Sequence, residues 1–498
     1  MRRKVQGSIT VFLTLVIVII AAFIFALLEG VRVKVNSMKA YQVSGRSVES
    51  VFSGYDKELW QEYEVFLYPA GTEEGQFDEK KVEAAISNYV YQNLRFEQEE
   101  RIPHGIDFLK EDMEQVELQG YELAFDREGR ALQRQLSEVM KGRITQEAAK
   151  SMMEFLVSGE NYLDGDKEER LLQQAEDARK EASERQKNNR KGAENATGSS
   201  RRKREGIQEN PMDRLQLLKK QSVFALVLKE PGKVSGLALE NYQRMEERQQ
   251  VQGNMKVQSD NILQFPVELM YSRHYFTNYL QSKEGHPLNY EMEYLIGGKS
   301  TDKENLEITI KQLLLLRELA NFTYLLQDAE KSAQALTMAA TIGGVTGMAP
   351  FVPALKIGIL LSWAYVEGIL DVRSMLEGNK VELVKTSLSW STDLFRLPQA
   401  LQLTPKEKDK GFTYSDYLMI LLYLKENKKV IYRMGDVMEA FVRKARGEDS
   451  FRIDLCMQSM ECEINLLSKP LFSGFIIIDK PSLKLYRHTN QISYSYVK

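Results

Sequence analysis

A chain of 498 residues is too long for one small core and implies two or three domains. Its apolar fraction of 43% and charged fraction of 28% are those of a soluble protein, so only one or two local segments can lie in a membrane. A net charge of −3 excludes the strong basic bias of a nucleic-acid binder.

The first predicted element is a transmembrane helix over residues 9–28, which carry no charge. At 1.5 Å per residue the segment spans about 30 Å, the thickness of a bilayer's hydrocarbon core. The run is longer than a signal peptide's apolar region, and Ala26-Leu27-Leu28-Glu29-Gly30 is a poor cleavage site, so an uncleaved anchor is expected. Arg2, Arg3 and Lys4 precede it with no acidic neighbour, which places residues 1–8 in the cytoplasm as a short basic lead. The expected location is thus the cell membrane, single-pass, with the bulk of the chain extracellular.

Beyond the bilayer the helix is expected to continue to about Trp60, since residues 31–60 contain no proline. Val31, Val35, Met38, Tyr41, Val48, Phe52, Tyr55 and Leu59 recur mostly at three- and four-residue steps and mark one face of it. That apolar face is a candidate interaction surface, to be covered by the protein's own ectodomain or by a partner helix. Residues 63–68 read as a short strand. Residues 77–159 read as mainly helical, with a strand at 115–125. Together residues 29–163 form a first ectodomain.

Residues 164–209 are dense in charge and amide side chains and contain no aromatic residue, so they read as a charged, disordered linker ending near Arg201–Arg204. A second ectodomain, residues 210–498, follows. In it residues 286–298 alternate in part and read as a strand, and Thr301-Asp302-Lys303-Glu304 caps a helix running to about Asp328. The apolar stretch 332–366 reads as two buried helices joined by a Gly/Pro turn, with membrane insertion as the alternative. Helices at 416–426 and 435–445 and strands near 451–466, 472–478 and 491–497 close the chain. The expected fold class is therefore α+β: a transmembrane helix continued as a pilin-like rod, a mostly helical ectodomain, and a C-terminal antiparallel sheet.

Chemistry is sparsely signalled. Gly297-Gly298-Lys299-Ser300-Thr301 ends like a phosphate-binding loop, but Glu293 stands where its first glycine belongs, so no nucleotide site is expected. The four histidines lack metal spacing. Cys456 and Cys462 lie about 20 Å apart if their strand is continuous, too far for a disulfide, and are expected to be structural. Glu367 and Asp371 share a helix face and could do acid–base work, but a solvated helix end is the expected role. No catalytic residue, cofactor, metal or small-molecule substrate is expected.

Gly7-Ser8-Ile9-Thr10-Val11-Phe12, the apolar run and Leu28-Glu29-Gly30-Val31-Arg32 resemble the N-termini of TadE/TadG-like proteins of Tad (Flp-type) pilus systems. The resemblance implies possible processing between Gly7 and Ser8, although Phe12 replaces the glutamate usual at the fifth mature position. The stretches 55–63, 298–305, 313–321, 363–373 and 451–456, with Asn210-Pro211, resemble a large uncharacterised family of Gram-positive anaerobes encoded beside Tad-type pilus and secretion genes. What the resemblances imply is a bitopic, pseudopilin-like structural or assembly component, with the lipid bilayer and other apparatus proteins as partners. The alternative is a membrane-tethered extracytoplasmic enzyme or ligand-binding domain acting on the cell envelope.

Overall fold

The computed structural model describes residues 4–72, 74–101, 109, 111–160, 211–239, 242–255, 265–346, 351–400, 402–403, 410–472 and 485–497. The expected linker 164–209 and all but the first residue of the expected strand 472–478 lie outside them. The chain divides into two compact units. The first is Met1–Val139, Glu247–Asn261 and Ala445–Lys498; the second is Met140–Glu246 and Ile262–Lys444. This differs from the consecutive division into 29–163 and 210–498. The cause is strand pairing: among the described residues, 456–468 near the C-terminus pair with 68–69 and 111–123 of the N-terminal segment.

The first unit contains α1 (Lys4–Phe52), α2 (Lys57–Tyr63), β1 (Tyr68–Pro69), α3 (Glu79–Arg101), β2 (Glu111–Leu123) and the start of α4 (Asp126–Lys141). It ends with β3 (Cys456–Ser468) and β4 (Tyr486–Ser495). All pairings are antiparallel. β3 is central, with β2 along one edge and β4 and β1 end to end along the other. α1 and α3 pack on one face of this sheet. Val43, Val51, Ile86 and Val90 from the helices meet Val116, Met460, Cys462 and Ile464 from the strands in its core. Cys456 and Cys462 are free and buried, and burial pushes the Cys462 thiol up to about 12, which makes it a poor nucleophile.

α1 is one unbroken helix from Lys4, through Gly7, Ser8 and the apolar run, to Phe52. It stops short of the expected Trp60. Asp56 caps a new helix instead, accepting from the Leu59 N–H at 3.0 Å and pairing with Arg446 at 2.7 Å. The expected strand 63–68 becomes the end of α2, a left-handed cap at Glu64 and the two-residue β1.

The outer edge of β2 is partly covered by the chain itself. The Gly253 N–H donates to Asp126 Oδ1 at 2.8 Å, the Met255 N–H donates to Tyr121 O at 3.2 Å, and Asn254 Oδ1 accepts from the Tyr121 N–H at 3.0 Å. A Cβ on Gly253 would stand 2.3 Å from Tyr121 O, so only glycine lets this segment lie down. Such cover protects an edge that would otherwise pair with other chains.

The second unit is helical among the described residues. Its elements are α5 (Gln146–Glu160), α6 (Pro211–Lys219), α7 (Val223–Val227), α8 (Phe265–Tyr275), α9 (Glu291–Gly297), α10 (Asp302–Gln327), α11 (Ala329–Thr346), α12 (Val352–Leu376), α13 (Tyr414–Tyr423) and α14 (Asn427–Arg446). The long helices α10 and α12 pack on each other, with α11 against both. Thr301 caps α10 as the sequence indicates, its hydroxyl accepting from the Glu304 N–H at 3.2 Å. The expected strand at 286–298 is a correction: residues 291–297 form α9. Their alternation arises because Glu291 and Glu293 are buried as fully as the apolar residues between them.

Candidate functional site

The predicted interaction face splits into two. Val48, Phe52 and Leu59 are fully buried in the first unit, and Tyr55 is half-buried. Phe52 packs on Tyr494, ring centroids 4.5 Å apart. Nearer the apolar run the arrangement inverts. Val31, Val35, Met38 and Tyr41 are 45–63% exposed, while Glu29, Arg32, Asn36 and Lys39 are buried.

Those four polar residues are spaced three and four apart, so they form one stripe of α1. They seize the near end of the sheet. Glu29 accepts from the Phe472 N–H at 2.8 Å and pairs with Arg32 at 3.2 Å. Arg32 and Asn36 donate to Leu109 O at 2.9 and 3.0 Å, and Arg32 also reaches Lys469 O. Lys39 lies 3.6 Å from Glu111 at the start of β2. The helix leaving the apolar run is thus amphipathic in reverse, with a polar stripe bound by the protein's own body and an apolar stripe left outside.

The pair Glu367 and Asp371 is brought together, but not as a solvated helix end. α12 continues to Leu376, so both sit in its interior and point into the core. Lys385 Nζ lies 2.8 Å from Glu367 Oε1 and 2.6 Å from Asp371 Oδ1. Arg317 on α10 lies 3.0 Å from Asp371 Oδ2 and donates to Leu383 O at 2.9 Å. Asn321 bridges Arg317 and Asp371 at 3.0 Å each. Glu367 also accepts from the Ser391 and Thr392 N–H groups at 3.0 Å each.

Two cations therefore balance two anions. Burial acts against ionisation of Asp371, but Lys385 and Arg317 outweigh it and hold the carboxyl below its usual range. Burial also acts against the Lys385 charge, and Asp371 and Glu367 outweigh it and raise its pKa. The shifts of Asp371 and Lys385 both run away from the neutral range in which general acid–base work operates. What the network does is fasten the 381–392 segment onto α10 and α12.

The Gly297–Thr301 stretch forms no phosphate cradle. Gly298 ends α9 in the left-handed region (φ +62°), and a Cβ there would stand 2.5 Å from the Arg433 guanidinium. Arg433 donates to the last α9 carbonyls, Leu295 O at 2.8 Å and Ile296 O at 3.0 Å. Asn305 Oδ1 accepts from the Lys299 N–H at 2.7 Å. Glu293 accepts from Tyr414 at 2.7 Å and from the Tyr279 N–H at 2.9 Å, and burial raises its carboxyl to about 7.

Sequence reasoning missed the stripe formed by Glu29, Arg32, Asn36 and Lys39. Its signal was present: four charged or amide residues at heptad spacing directly after an apolar run. Arg317, Asn321 and Lys385 carried none, since each meets its partners across long gaps in the chain. Among the described residues no cluster of three or more His, Cys, Asp or Glu side chains is placed to hold a metal ion.

One helix among the described residues, within Ile9–Phe52, is long and apolar enough to cross a membrane, and none of its apolar window is buried in the chain. Fold and site together define a membrane-anchored protein with a largely helical body and a small antiparallel sheet. A family model described as "Family of unknown function (DUF5702)" matches residues 201–467, more than half of the chain, and the chain belongs to that family. No curated protein and no solved structure matches it.

Proposed function

We propose that this protein is a bitopic structural component of an envelope apparatus, pseudopilin-like in its use of α1, and part of a Tad/Flp-type pilus or secretion system. Residues 9–28 anchor it, the N-terminus is cytoplasmic, and both compact units are extracytoplasmic. The observation that carries this reading is the reversed amphipathicity of α1 beyond the bilayer. A helix meant only as a tether gains nothing from an exposed apolar face, which costs solvation free energy of about 25 cal/mol per Å². Such a face is retained where another surface covers it.

The resemblance of the N-terminus to TadE/TadG-like proteins supports the choice of apparatus. The buried, ion-paired state of Glu367 and Asp371 favours a structural role over a hydrolytic one. Deleting the gene is expected to abolish pilus assembly or secretion by the cell. Met38→Asp is expected to reproduce that loss while the protein stays in the membrane fraction at normal abundance. Unchanged pili and secretion in the deletion strain would overturn the proposal.

A further inference from the structure

We infer that the buried ion network is the site of a self-modification, in which the Lys385 amine condenses with the Asp371 side chain to an internal amide and water, with Glu367 relaying a proton. The inference does not depend on the membrane or apparatus readings above.

The geometry is that of an acyl-transfer site whose substrate is built in. Lys385 Nζ, the nucleophile, lies 2.6 Å from Asp371 Oδ1. It also donates to Glu367 Oε1 at 2.8 Å and to Ser389 O at 3.2 Å. The two Asp371 oxygens differ in what they face. Oδ2 accepts from Arg317 Nε at 3.1 Å and from the Asn321 amide at 3.0 Å, and it lies 3.0 Å from Arg317 Nη2. Donors gathered on one oxygen stabilise the negative charge that develops there when a nucleophile adds to the carboxyl carbon. Oδ1 faces the amine and is the oxygen that leaves. Arg317, Asn321, Glu367, Asp371 and Lys385 are all buried, so the reacting groups are held together and bulk water does not compete for the carbon.

At rest the amine and the carboxyl are both charged, which is the unreactive form. Reaction starts when one proton passes from Nζ to Oδ1 across their 2.6 Å contact, which brings no net charge into the core. The nitrogen lone pair then bonds to Cγ, and the π electron pair of the carbonyl moves onto Oδ2. A second proton goes from nitrogen to Glu367, which passes it to the Oδ1 hydroxyl as the Cγ–Oδ1 bond breaks. Water leaves, one proton stays on the amide nitrogen, and Glu367 ends ionised as it began. The balance closes without a co-reactant. The resting ion pair makes the step slow, but each chain needs it once. Charge favours the product: two ions that are costly to hold in a dry core become one neutral amide, and Arg317 and Glu367 remain as one cation and one anion.

The test is tandem mass spectrometry of the full-length chain, purified in detergent, unfolded and digested with trypsin. The bond is expected to block cleavage after Lys385 and to join residues 357–373 to residues 381–396 in a branched peptide, lighter than its two linear parts by one water. Lys385→Arg is expected to give linear peptides alone. Glu367→Gln is expected to slow the appearance of the branched peptide after synthesis by about a hundredfold or more. Linear peptides alone from the unmutated chain, with full cleavage after Lys385, would overturn the inference. A branched peptide that appears as fast in Glu367→Gln as in the unmutated chain would overturn the relay. The unmutated chain decides whether the bond exists, so a variant that fails to fold leaves that test intact.

Discussion

Replacing Lys385 with methionine is expected to destabilise the second unit by about 3–5 kcal/mol, the usual cost of stripping one partner from a buried ion pair. Lys385 is the only cation within 4 Å of Glu367 among the described ion pairs, and Glu367 is fully buried. Its remaining donors, the Ser391 and Thr392 N–H groups, belong to the very segment that Lys385 holds in place. The loss therefore spreads to the 381–392 segment, and with it to the bond that the Trp363 indole of α12 donates to Thr392 Oγ1 at 2.7 Å. Adding Glu367→Gln to Lys385→Met should recover much of the loss, since a neutral amide needs no counter-charge. Urea titration of purified protein in detergent reads both effects. A loss below about 1 kcal/mol for Lys385→Met would mean that the pair is not buried as described.

Glu268 is expected to make the protein less stable as pH rises from 5 to 8, and Glu268→Gln is expected to flatten that slope. The side chain is buried on α8, and no described hydrogen bond reaches either carboxyl oxygen. Burial raises its pKa to about 8, and the nearby Asn427 side chain, which does not reach hydrogen-bond geometry, offsets only part of the rise. The sign follows from proton counting. Below about 4.5 both folded and unfolded chains are protonated there and the group is neutral to stability. Above it the unfolded chain ionises first, so folding is progressively penalised until the folded group also titrates near 8.

The full penalty is on the order of 3–5 kcal/mol. The glutamine carries no such penalty. The gap between the two proteins, measured by chemical denaturation at pH 5 and at pH 8, should therefore shift by that amount in favour of the variant. Comparing the two pH values cancels any fixed cost of packing the amide. A gap that does not change with pH would show that Glu268 is solvated. Glu293, raised to about 7, adds a smaller slope of the same sign that both proteins share.

The sequence makes the long elements legible and leaves their partners hidden. The apolar run, the cap at Thr301 and the helix pair α11 and α12 are local signals, and each was readable from periodicity or capping chemistry. α9 was misread because a buried helix with two buried glutamates imitates strand alternation over a short window. The mixing of chain ends in the first unit was invisible for another reason. β2 and β3 pair across more than 300 residues, and no local pattern names a distant strand. The same holds for the ion network, where Glu367 and Asp371 look like a charged helix end until Arg317 and Lys385 are placed beside them. On α1 the apolar stripe was legible, but which half the body would cover was not. That depended on Leu109, Lys469 and Phe472 offering backbone partners to the polar stripe.

The central claim, an anchored chain whose body lies outside the cell, is tested most directly by labelling Leu388→Cys in intact cells with a membrane-impermeant maleimide. Leu388 is 97% exposed at the tip of a turn, so folding does not shield it, and both native cysteines are buried. The account predicts equal labelling before and after lysis, with Ile20→Cys unlabelled in both until the membrane is dissolved. Labelling of Leu388→Cys that begins only after lysis would contradict it and place the body in the cytoplasm.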